Sequence, residues 1–113
     1  MPIFITQGRY TQSAITELIA SPESRAEAVE KIITAAGGKL HSYYMTFGEY
    51  DFLSIIEAPD EKTVLATLAV AAAGGGVTDL KTTIGVNSAD MKDAFEKAKS
   101  LAPKVGRVVL PRT

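Results

Sequence analysis

Apolar residues recur along this chain in two rhythms, and the rhythm changes at glycine and proline. Ile3-Phe4-Ile5-Thr6 opens a run of β-formers that reaches about Tyr10 and predicts a first strand. The spacing then turns helical. Ile15, Leu18 and Ile19 mark a short helical segment, which Ser21-Pro22 interrupts before a longer helix. Ser21 suits the cap of that helix, Pro22 its first position and Glu23 its positive end. Val29, Ile32, Ile33 and Ala36 form its apolar stripe, and Gly37-Gly38 ends it.

Leu40–Phe47 and Tyr50–Ile56 are β-rich runs separated by Gly48-Glu49, a spacing that predicts a tight antiparallel hairpin. Asp60 follows Pro59 as the cap of a second long helix, in which Val64, Leu65, Leu68, Ala69 and Ala72 repeat until Gly74-Gly75-Gly76. Leu80, Thr82 and Ile84 alternate with polar neighbours in a fourth strand from about Val77 to Val86. A last helix, capped by Asn87 or Ser88, sets Met91, Ala94, Phe95, Ala98 and Leu101 on one face, carries Lys97 and Lys99 near its end, and stops at Pro103. Residues 1–102 thus read as one domain with a terminal helix, and 103–113 as a tail.

The order β, α, β, β, α, β is the split β-α-β pattern of a ferredoxin-like α+β fold with a four-stranded antiparallel sheet. Such a sheet carries its helices on one face. In the third strand Phe52 and Ile56 fall on one side and Leu53 and Ile55 on the other, while the first strand sets Ile3 and Ile5 against Phe4. A sheet with one wet face alternates cleanly between apolar and polar, so both faces are expected to be buried. Two sheets packed face to face achieve this. A homodimer or a higher homo-oligomer is the expectation, since large apolar patches are rare on soluble monomers.

Composition narrows the classes of function. The chain has 113 residues, 46% of them hydrophobic, with 12 basic against 13 acidic side chains and no cysteine. This is enough for one core, without the basic surplus that a nucleic-acid partner requires. The only local basic excess is Lys104, Arg107 and Arg112, read as solvated. Without cysteine there is neither a disulfide framework nor a thiolate, so a reducing cytoplasm is the default. The start lacks the charged and apolar regions of a signal peptide. The run Val64–Ala73 falls short of the ~18 apolar residues of a bilayer span, so no membrane partner is expected.

Phe47-Gly48-Glu49-Tyr50-Asp51-Phe52, followed by Glu57-Ala58-Pro59-Asp60, resembles the signature of the GYD family, with Gly, Tyr and Asp in a G-x-Y-D arrangement. Ile5-Thr6 leading into Thr11, Ser21-Pro22 with Arg25, and Gly38-Lys39-Leu40 are similar to that family's pattern, and the resemblance covers roughly residues 2 to 95. It implies a dimeric α/β barrel without a settled activity. Distant relatives on the fold include cofactor-independent monooxygenases, lactone isomerases, haem enzymes and ligand-sensing domains of bacterial regulators, so fold alone selects no function. No helix-turn-helix segment accompanies this domain.

The polar residues offer limited chemistry. Asp51, beside Tyr50 where the third strand leaves the turn, is either a base at a pocket mouth or an acceptor for backbone N–H groups of the turn. His41, the single histidine, shares its alternation with Tyr43 and Met45 and is either a proton-transfer group or a residue of a surface or interface. Arg9 and Tyr10 end the first strand, which a ferredoxin-like sheet places beside the third. Arg9 would bind a carboxylate or enolate ligand, or pair with Glu49 or Asp51. Gly74-Gly75-Gly76 follows a helix and precedes a strand, the reverse of a phosphate loop. No metal or cofactor motif is present. Two readings remain: a non-catalytic dimeric module that binds a small ligand or another protein, which is favoured, and a cofactor-independent enzyme. The enzyme would act on a small aromatic or lactone-like molecule through His41, Tyr50 and Asp51, with Arg9, Tyr10 and Tyr43 in contact with the ligand.

Overall fold

A computed structural model describes residues 1–105. Its elements are β1 (Ile3–Tyr10), α1 (Gln12–Ala20), α2 (Arg25–Ala35), β2 (Lys39–Met45), β3 (Phe52–Glu57), α3 (Glu61–Ala73), β4 (Val77–Gly85) and α4 (Ser88–Val105). The strands form one antiparallel sheet in the order β2-β3-β1-β4, which is the ferredoxin-like arrangement that the order of elements predicts.

Alternation along the two central strands defines the faces. Phe4, Thr6, Gly8 and Tyr10 of β1 lie opposite or beside Ile56, Ser54 and Phe52 of β3 on the helical face. Ile3, Ile5 and Gln7 pair with Glu57, Ile55 and Leu53 on the open face, where they are half-buried. The core fills one end of the helical face. Phe4, Ile33, Ile56, Ala58 and Val64 are buried together there, with Val29, Leu40 and Leu68 against them.

Helix boundaries follow hydrogen-bonding side chains. Thr11 caps α1, accepting from the Ala14 N–H at 3.2 Å. Its own hydroxyl donates to the Gly75 carbonyl at 2.7 Å, so one residue fixes both the start of α1 and the loop after α3. Asp60 caps α3 as predicted, and the bonds from Thr63 to its carboxylate lower its pKa. Asn87 caps α4 through the Asp90 N–H at 2.8 Å.

The second helix starts later than its proline suggests. Its cap is Ser24, which accepts from the Glu27 N–H in a Ser-x-x-Glu spacing, whereas the Ser21 N–H closes α1 on the Glu17 carbonyl. Pro22 lies in the link between the helices. At the other end of the chain, α4 runs through Pro103 to Val105 instead of stopping there. The rest of the expected tail lies outside the described residues. Strands β2 and β3 are antiparallel, but they end at Met45 and begin at Phe52, so their connection is wider than a tight hairpin.

Two bulges adjust the alternation. In β2, Leu40 opposes Ile56 and Ser42 opposes Ile55, which leaves His41 as the extra residue. In β4, Asp79 and Leu80 together oppose Gly8, and Asp79 takes a φ of +52°, a conformation that aspartate tolerates better than most residues.

Gly8 is required by a close approach. A Cβ there would meet the Phe52 ring at 2.7 Å and Leu80 Cδ2 at 2.8 Å. Gly74 has an ordinary helical backbone and space for a methyl group. Gly8→Ala is therefore expected to destabilise the fold by about 1–3 kcal/mol through overpacking, and Gly74→Ala to leave it unchanged or raise it by about 0.5 kcal/mol. Urea unfolding of both variants checks the contrast.

Candidate functional site

The helical face is filled at the Phe4 end and open at the other. Between the sheet and α1, α2 and α3 lies a cavity of about 480 Å³, within the usual range of small-molecule sites. Val29, Ile33, Leu68 and Leu80 give it an apolar wall, and Thr6, Tyr10, Tyr43, Ser54 and Arg25 add polar groups.

Three aromatic rings from three strands form its floor. Phe52 leans over the bare backbone of Gly8, with its ring centroid 5.3 Å from that of Tyr10 and 5.7 Å from that of Tyr43, the latter pair stacked. The Tyr10 and Tyr43 hydroxyls are hydrogen-bonded to each other. Burial raises both tyrosine pKa values, and the neighbouring Arg25 guanidinium offsets part of the effect. Arg25 Nη1 donates to Glu23 at 2.8 Å, while its Nε is shielded from solvent and has no partner among the described residues. Thr6 and Thr82 join hydroxyls across the sheet at 2.9 Å.

Asp51 is tied to the backbone. Its N–H donates to the Gly8 carbonyl at 2.8 Å and its carboxylate accepts the Tyr10 N–H at 2.9 Å. The β1–β3 ladder ends at Gly8, and the Asp51 side chain takes the place of its next carbonyl. The Thr46 N–H donates to the Asp51 carbonyl at 2.8 Å and the Thr46 hydroxyl to the Tyr50 carbonyl at 2.7 Å, which closes the β2–β3 connection. Gly48, at φ +131°, supplies the backbone conformation the connection needs.

These positions separate the residues singled out from the sequence into three groups. Tyr10 and Tyr43 meet at the cavity. Arg9 does not pair with the carboxylate of Glu49 or Asp51; its Nε donates to the Glu49 backbone carbonyl at 2.7 Å. His41 does not share a surface with Tyr43 and Met45, because the bulge turns it to the open face, where its Nε2 lies 3.0 Å from Glu57. His41 and Asp51 thus sit at opposite ends of β3, and His41, Tyr50 and Asp51 do not converge. Among the described residues no group of three or more His, Asp or Glu side chains is placed to hold a metal ion.

The GYD domain family model matches residues 4–95, most of the chain. The chain belongs to the GYD domain family. This GYD domain is 30% identical over 77 residues to the glutamine synthetase and cystathionine beta-lyase binding protein of Thermus thermophilus, covering 68% of this chain and 81% of that one. Its fold is similar to the crystal structure of TTHA0845, also from Thermus thermophilus, with a TM-score of 0.50 and 15% identity over 78% of this chain and 96% of that one. No helix among the described residues is long and apolar enough to cross a membrane.

The cavity residues that sequence reasoning missed are Thr6, Ser54 and Arg25 as a group. A signal existed: Thr6 and Ser54 interrupt the series Phe4–Tyr10 and Phe52–Ile56 at positions that face inward, yet both are buried. Arg25 stood only in the family pattern, and its place beside the two phenols depends on where α2 begins.

The hydrogen bonds of Asp51 and His41 can each be tested by removing one partner. Asp51→Ala removes the acceptor of the Tyr10 N–H and is expected to cost about 1–3 kcal/mol, and Asp51→Asn, which keeps one oxygen, about half as much, by urea unfolding. The bond from His41 holds the Glu57 carboxyl below its ordinary value, so its stabilisation is present above that value and is lost as pH falls through the folded one. Carboxyl-detected NMR is expected to show the Glu57 pKa rising in His41→Ala.

Proposed function

We propose that this GYD domain is a non-catalytic, homodimeric binding module of the cytoplasm. Two copies pair through their open sheet faces as a dimeric α/β barrel, and the module takes a small molecule or another protein as its ligand. The observation that carries this reading is the open face itself. Ile3, Ile5, Leu53 and Ile55 stand there as one apolar row across β1 and β3, only half-buried within a single chain. The Thermus thermophilus relative, named for binding two enzymes, supports an interaction role.

The signature residues support the non-catalytic part. Asp51 is engaged by the backbone of β1, and its carboxylate holds strand to loop, which gives the signature aspartate a structural role. One observation favours the second reading, a cofactor-independent enzyme acting on a small aromatic or lactone-like compound: the cavity presents the Tyr10–Tyr43 pair. In that reading the phenols replace His41, Tyr50 and Asp51 as the acting groups.

Light scattering separates the assembly from its alternatives. The expected mass is twice the 12.0 kDa of the chain. Ile55→Glu places an unpaired carboxylate in the apolar row and is expected to weaken the dimer at least a hundredfold while leaving the circular dichroism unchanged. A wild-type chain that stays monomeric at tens of micromolar would overturn the homodimer.

A further inference from the structure

On the floor of the cavity on the helical face, the phenol pair and Arg25 leave hydrogen-bond donors without partners. Tyr10 and Tyr43 share one hydrogen bond, which uses one of their two hydroxyl hydrogens. The phenol that accepts keeps its own hydrogen. Arg25 lies beside both phenols, and its guanidinium has no acceptor to offer. Arg25 Nε is itself without a partner among the described residues. Both phenols stay protonated through the physiological range because burial raises their pKa values. A phenol O–H and the shielded Nε of Arg25 thus lie on the wall of one cavity.

We infer that this cavity binds a small monocarboxylic acid with an apolar body, its carboxylate held by Arg25 and the Tyr10–Tyr43 pair. The inference deepens the ligand-binding part of the proposed module and rests on it. A planar carboxylate suits the fork of a guanidinium and accepts a phenol hydrogen with a second lone pair. The remainder of the ligand lies against Val29, Ile33, Leu68 and Leu80, where burial of hydrocarbon supplies affinity. About 480 Å³ accommodates an acid the size of 3-phenylpropionate.

The charge balance selects against larger anions. Glu17 and Glu23 also line the cavity, and Glu23 already holds Nη1 of Arg25. Glu23 already offsets the charge of Arg25 and Glu17 adds another negative charge, so repulsion at the mouth is greater for a phosphate dianion than for a monoanion that reaches the free guanidinium edge.

Calorimetric titration of the full chain with sodium 3-phenylpropionate, and with the uncharged 3-phenylpropionamide of the same shape, tests the assignment. The acid is expected to bind at least tenfold more tightly than the amide. Arg25→Met is expected to abolish the preference, Arg25→Lys to keep a smaller one because charge remains without the fork, and Tyr43→Phe to weaken the acid severalfold. Circular dichroism and light scattering on each variant exclude misfolding. Equal binding of acid and amide, or an unchanged preference in a folded Arg25→Met, would overturn the carboxylate while leaving a ligand-binding module in place. Absence of binding by either compound to a folded wild-type dimer would overturn the site and leave only the interaction role. Acid binding by a monomer would instead remove the homodimer and keep the site.

Discussion

The Phe52 ring lies against the backbone of Gly8, and the rest of the helical face depends on this contact. Because β1 has no side chain at that point, the ring leans across the strand and brings Tyr10 and Tyr43 to either side of itself. A methyl group at Gly8 would push the ring upward into the space that is now cavity. One residue further, Asp51 continues the β1–β3 pairing with its carboxylate after the backbone ladder has ended, and so fixes the strand end that carries Tyr10. The family signature therefore acts on the cavity at one remove. Its aspartate positions the strand, and the strand positions the phenol.

The two ends of the helical face illustrate different packing solutions. At the Phe4 end, large apolar side chains from two strands and two helices pack together as the core. At the Tyr10 end the inward positions are taken by Thr6, Gly8 and Ser54, which are too small to reach the helices. The resulting space is bounded by α1, and α1 buries none of its residues completely. The hydroxyls of Thr6 and Thr82 satisfy each other across the sheet, which leaves the phenols and Arg25 as the groups open to a ligand.

Most of the fold was legible in the sequence because the elements are separated by residues with a single physical meaning. Asp60, Asn87 and the glycines at 37–38 and 74–76 bound their elements as their chemistry predicts. Where two signals competed, the pattern misled. Pro22 suits a first helical position, but the Ser24 hydroxyl accepts the Glu27 N–H, and this cap decided the boundary. The site was less legible, since an alternation rule carries a residue to the wrong face wherever one extra residue enters a strand. His41 is that extra residue in β2, so it left the company of Tyr43 for that of Glu57. No local sequence feature marks the bulge. Tyr10 was singled out as the end of the first strand beside the third and Tyr43 by its alternation with His41 and Met45, whereas the place of Arg25 depends on the exact start of α2.

The phenol pair also bears on the choice between binding and catalysis. An acid or base works best when its pKa lies near the pH at which it operates. Burial moves both tyrosines away from neutrality; their mutual bond adds to this for Tyr43 and opposes it for Tyr10, and the nearby Arg25 does not reverse it. A catalytic tyrosine would need the opposite arrangement, with cations close enough to outweigh desolvation. Here Glu23 draws one end of the Arg25 guanidinium away to itself. Groups held protonated in this way are hydrogen-bond donors, suited to recognising an acceptor and poorly suited to removing a proton, which agrees better with the proposed binding role than with a tyrosine base.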